Sequence, residues 1–97
     1  MMVRSITAGT TNQVASPARQ RNFLAILNQS ESATLYVAFD QPAVATATAG
    51  QLTIGPLNPG IGQAESGSAV FRGIGETPWQ TINIIASGAG TPVTILE

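Results

Sequence analysis

Apolar residues in this chain come in short runs, each soon interrupted by glycine, proline, serine or asparagine. No window of a dozen residues keeps a 3.6-residue apolar period free of Gly and Pro, so a helix has nowhere to propagate. The one exception, residues 42–49, is alanine-rich, but Val44, Thr46 and Thr48 are β-branched and disfavour helix. It reads as a flexible loop. What remains is the pattern of strands and turns.

Residues 22–28 are apolar on both faces between two asparagines, as expected of a central, doubly covered strand. A polar turn over 29–33 leads to residues 34–39, where Leu35, Val37 and Phe39 share one face. These two runs are expected to pair as a hairpin. A second hairpin is expected over 80–86 and 91–96, with Ile82 and Ile84 inward, Val93 and Ile95 on one face, and Ser87-Gly88-Ala89-Gly90 as its turn. Pro92 lacks an amide hydrogen and belongs at a strand's start or on a sheet edge. Weaker strands are expected at 51–54 and 68–72, with one or two more around Ile6 and Val14. Residues 55–60, with two prolines between two glycines, form a turn, and 61–67 continue as a polar loop. About seven or eight short antiparallel strands at this spacing mean an all-β single domain, a β-sandwich or a jelly-roll-like barrel. Residues 19–97 make up that sandwich, and 1–18 serve as an N-terminal arm or as edge strands.

Composition says how such a domain is stabilised. A chain of 97 residues fits one domain. It buries only roughly 60–65% of the surface its unfolded form exposes, and small domains compensate with disulfides, metals or oligomerisation. There is no cysteine, hence no disulfide. There is no histidine, and the five carboxylates (Glu31, Asp40, Glu65, Glu76 and Glu97) are scattered, so neither a metal nor another cofactor is expected. Oligomerisation is the route left open. Only 9% of residues are charged, against about 25% in an ordinary domain. Lysine is absent, and the basic residues are Arg4, Arg19, Arg21 and Arg72. A surface of Thr, Ser, Ala, Gly, Asn and Gln suits a protein whose working state is an assembly. A net charge of −1 argues against a nucleic-acid partner, which needs a basic stripe. No segment approaches the roughly 20 apolar residues that span a bilayer, so no membrane partner is expected. Residues 1–6 lack the apolar run of a signal peptide, which places synthesis in the producer's cytoplasm without ordinary secretion.

Without His, Cys or Lys the usual nucleophile and base pairs cannot be built, and the chain is not expected to be an enzyme. A two-carboxylate site would need two of five scattered acids to converge. Gly73-Ile74-Gly75 and Gly88-Ala89-Gly90 match no phosphate-binding fingerprint. Four residues stand out instead as interface candidates. Trp79, the single tryptophan, is first a lid over one end of the core; the sharper readings are an aromatic anchor in a subunit interface or a platform for a sugar. Arg19 and Arg21 flank Gln20 before the central strand, either solvated or in contact with an acidic partner or with Asp40. Tyr36 shares the second face of its strand with Thr34 and Ala38, a half-polar face that another subunit or a second sheet would cover.

The run Arg19-Gln20-Arg21-Asn22-Phe23-Leu24-Ala25-Ile26-Leu27-Asn28-Gln29-Ser30, a polar turn and Leu35-Tyr36-Val37-Ala38-Phe39 together resemble a pattern in small virion proteins of tailed bacteriophages. There an arginine-bearing lead-in precedes a Leu-Ala-Ile-x-Asn strand, an Asn/Ser turn and a Leu-Tyr-Val-x-Phe strand. The Leu-x-Pro-Gly turn that often follows is matched by Leu57-Asn58-Pro59-Gly60, and the Thr-rich closing strand by residues 91–96. The resemblance implies a capsid decoration (cement) protein located in the virion. Such a protein sits outside the shell, often as a homotrimer, with copies of itself and the major capsid protein as partners. A tail or head-fibre module that binds host-surface carbohydrate is the alternative. Trp79 and Tyr36 exposed together beside Asp40 or Glu76 would favour that alternative, and burial of both between subunits would favour cement.

Overall fold

In the computed structural model, which describes residues 2–46, 48–56, 67–73 and 77–97, the strands are β1 (Val3–Ala8), β2 (Gln13–Ser16), β3 (Phe23–Asn28), β4 (Leu35–Phe39), β5 (Gln51–Ile54), β6 (Ser68–Arg72), β7 (Ile82–Ala86) and β8 (Thr91–Leu96). The pairing is nested. β1 runs antiparallel to β8, β2 to β7, β3 to β6 and β4 to β5, so the chain is one long hairpin with its tip between β4 and β5. Rolling that hairpin sets β8 against β3 and β7 against β4. Two four-stranded sheets result, β1-β8-β3-β6 (sheet A) and β2-β7-β4-β5 (sheet B). This is a β-sandwich with jelly-roll strand order, the all-β class expected.

Neither local hairpin expected from the sequence forms. β3 lies in sheet A and β4 in sheet B, and β7 and β8 are likewise split between the sheets. The interior explains why. Leu24 and Ile26 of β3 and Leu35 and Val37 of β4 are each fully buried in one common core with Ile82, Ile84, Val93 and Ile95. A connection that arches between sheets lets these two apolar faces meet across the core, whereas a hairpin would set them side by side in one layer. Each such side chain, fully buried, stabilises the fold by roughly 1.5–3 kcal/mol. Phe39 and Phe71 meet edge to face at 6.2 Å and so join β4 of one sheet to β6 of the other.

Residues before position 19 supply an edge strand to each sheet, β1 and β2. Pro92 is the second residue of β8, at the start of an internal strand. β3 is internal in its sheet, and of its outward side chains Ala25 is buried while Phe23 and Leu27 are only half-buried, with no second layer over them among the described residues. The stretch after β4, expected as a loose loop, lies over the outer face of sheet B. Ala43 packs there with Ala38, Ile85 and Tyr36, and its amide donates to Asn12 Oδ1 at 2.7 Å. Gln51 Nε2 donates to the Val44 and Thr46 carbonyls at 2.8 Å each. Asp40 turns the chain into this stretch with φ +58°, a conformation that Asp tolerates better than most residues. Most of the turn expected at 55–60 and nearly all of the loop expected at 61–67 lie outside the described residues.

Candidate functional site: an arginine cluster beside an apolar sheet face

Side chains on β8 alternate, so the inward parity of Val93 and Ile95 carries on to Glu97. The same parity on β1 turns Arg4 inward with Ile6 and Ala8, opposite Ile95. At this end of the sandwich three of the chain's four arginines converge on the Glu97 carboxylate, whose side chain is fully buried. Arg4 Nε donates to Oε2 at 3.2 Å and Arg19 Nη1 to Oε1 at 3.4 Å. Ser16 Oγ lies 2.8 and 3.1 Å from the two oxygens.

Arg21 is the buried member, 4% exposed. Its Nη1 donates to the carbonyls of Pro78 and Gln80, both at 3.0 Å. Its Nη2 donates to the Pro17 carbonyl at 2.8 Å and to Ser16 Oγ at 3.2 Å. One guanidinium therefore ties the β2–β3 connection to the segment leading into β7, using the fixed fork that lysine lacks. Its Nε stands 3.6 Å from Glu97 Oε1 and has no hydrogen-bond partner among the described residues. Beside it opens a hollow of about 330 Å³ lined by Arg19, Gln20, Arg21, Asn22, Phe23 and Glu97.

Burial pushes the Glu97 carboxyl up, but the Ser16 hydroxyl, Arg21 and Arg4 outweigh it and hold the carboxyl below its ordinary value. Burial draws the Arg21 guanidinium down, against the pull of Glu97; it stays charged, as arginine does in proteins. A carboxyl that binds its proton less readily in the folded state adds stability above its unfolded value of 4.5 and loses it as pH falls through the folded value. The urea midpoint should therefore fall on acidification below about pH 4.5. Glu97→Gln should be less stable than the parent at neutral pH, with the gap closing as pH falls. A gap independent of pH would contradict this account of Glu97.

The interface candidates separate. Arg19 and Arg21 come together, but on Glu97; Asp40 is engaged elsewhere, accepting from the Thr81 amide at 3.0 Å. Arg21 is not solvated, and Arg19 remains exposed. Trp79 is no lid: it is 59% exposed, anchored through its backbone, whose carbonyl accepts the Arg19 amide at 2.9 Å. Tyr36 lies half-buried on the outer face of sheet B, where Ala43 packs against it. Glu76 lies outside the described residues. Sequence reasoning missed Arg4, Ser16 and Glu97; the inward parity of the first and last was a usable signal.

The outer face of sheet A holds the other feature. Register places Val3 opposite Leu96, Leu96 opposite Ala25 and Ala25 opposite Val70, an apolar row across all four strands. At ordinary strand spacing the row is about 15 Å long. Val3 is 62% and Val70 49% exposed at the two ends, whereas Leu96 is half-buried and Ala25 is buried. Phe23, under Arg72 at 5.9 Å, and Leu27 flank the row on β3. The chain matches no protein-family model, and no curated protein or solved structure matches it.

Proposed function

We propose that the chain is a structural subunit of a bacteriophage virion, a capsid decoration protein that binds the outer shell and bridges neighbouring capsid subunits. It works as a homotrimer, with the major capsid protein as its second partner. The observation that carries this reading is the apolar row Val3, Leu96, Ala25 and Val70 on the outside of sheet A. A charge-poor domain gains by covering the exposed valines at the two ends of this strip, and exposed apolar surface marks interaction sites. Jelly rolls serve in both viral shells and lectins, so the site has to decide between them. Many copies with modest contacts gain avidity on a lattice.

The alternative, a fibre module binding host carbohydrate, draws on a hollow of about 290 Å³ lined by Asp40, Gln41, Pro42, Thr81 and Asn83. The Asp40 carboxylate there already accepts from Thr81, and Tyr36 is packed by Ala43. The shell reading therefore stands first. Val3→Glu with Val70→Glu places a charge at each end of the row on edge strands. The pair should abolish self-association in sedimentation velocity while leaving the circular dichroism spectrum unchanged. A variant that associates like the parent would overturn the reading.

A further inference from the structure

The cluster around Glu97 is unbalanced. Three guanidinium groups share one side-chain carboxylate among the described residues, and both oxygens of that carboxylate are already engaged. Arg19 spends Nη1 on a 3.4 Å contact with Glu97 and a 3.6 Å contact with Met2 Sδ, a weak acceptor. Its remaining N–H groups have no partner among the described residues, and its side chain is 41% exposed. Arg21, almost wholly buried, holds its Nε 3.6 Å from Glu97 Oε1 without a hydrogen bond. Both arginines line the same hollow together with the Glu97 they already pair with, and Gln20 and Asn22 stand beside them with Phe23 as an apolar wall. The buried charges, Arg21 and Glu97, balance each other, so the open valence lies on the exposed Arg19, and arginine is the side chain best shaped to receive a carboxylate.

We propose that this hollow seats a second carboxylate, carried by an acidic side chain of a partner protein. The surroundings point to a chain-borne acid over a free one. Trp79, whose carbonyl holds the Arg19 amide, is 59% exposed, and Met2, whose sulfur touches Arg19, is 43% exposed. A polypeptide that inserts an acid covers these apolar groups in the same step, whereas a small acid leaves them in water. Aromatic side chains beside arginine are the usual anchors of protein contacts. The site stands whether or not the partner is a viral shell.

The test is a titration of ¹⁵N-labelled protein at neutral pH and constant ionic strength, following the Arg19 and Arg21 Nε–H resonances. The probes are the peptides Ac-Leu-Glu-Leu-NH2 and Ac-Leu-Gln-Leu-NH2, sodium acetate, sodium phosphate and sodium chloride. The Glu peptide should shift both resonances saturably, at concentrations about tenfold below acetate or the Gln peptide, a difference of about 1.4 kcal/mol. Arg19→Gln, with thermal stability retained, should lose the Arg21 response. Equal binding of the two peptides, or shifts that only follow chloride, would overturn the carboxylate seat. Phosphate or acetate binding more tightly than the Glu peptide would overturn the partner-chain source. Full binding by Arg19→Gln would remove Arg19 from the site.

Discussion

Arg21→Met should cost the fold about 3–5 kcal/mol, the scale for removing one partner from a buried ion pair. A domain of this size has about 5–15 kcal/mol in total, so the variant should unfold at a much lower urea concentration or fail to fold at 37 °C. The loss has two sources. The part-buried carbonyls of Pro17, Pro78 and Gln80 each lose their guanidinium donor, a loss below the roughly 1–3 kcal/mol of a fully buried unpaired acceptor because water reaches them. Glu97 meanwhile keeps its charge in a fully buried position with one counter-ion fewer. The double variant Arg21→Met with Glu97→Gln separates these sources: it should be more stable than the sum of the two single losses predicts. Strict additivity in urea unfolding would mean that the carboxylate contributes nothing to the cost.

The next largest effect belongs to Asn28→Ala, at about 2–4 kcal/mol from several buried hydrogen bonds lost together. Asn28 ends β3 and is 1% exposed. Its Nδ2 reaches the carbonyls of Ala33 at 2.9 Å, Gly55 at 3.1 Å and Ile54 at 3.2 Å. Its Oδ1 accepts the Ser30 amide at 3.1 Å. One side chain thus shapes the arch from β3 to β4 and fastens it to the end of β5 in the other sheet. The neighbouring Gln29 makes a useful contrast. It accepts from Thr94 Oγ1 at 2.7 Å, but in solvent, and Gln29→Ala should stay within about 0.5 kcal/mol of the parent. Equal losses at positions 28 and 29 would mean that Asn28 is not the tie between the sheets.

The strands themselves were legible because alternation marks a strand whatever its partner: Leu35, Val37 and Phe39, or Val93 and Ile95, declare one inward face. Partners were not legible for the same reason. A period of two is the same in a hairpin and in a nested jelly roll, and short loop closure favours guessing the hairpin. β1 pairs with β8 across nearly the whole chain, and no local pattern announces that. Residues 17–22 have no period to read, so nothing in the sequence told that Arg21 turns inward while Arg19 stays out. Trp79 misled for a physical reason. Its neighbours' carbonyls, those of Pro78 and Gln80, are spent on Arg21, which anchors the backbone and leaves the indole exposed. Arg4 and Glu97 could have been placed inside from parity alone, though their meeting depends on the β1–β8 register.

That the sandwich works as an assembled subunit is tested most directly by its mass in solution, from light scattering behind a sizing column over a range of concentrations. The account predicts a trimer of the 97-residue chain, with the Val3→Glu, Val70→Glu variant running as a monomer beside it. A parent chain that remains a monomer at every concentration would contradict self-assembly through the outer face of sheet A.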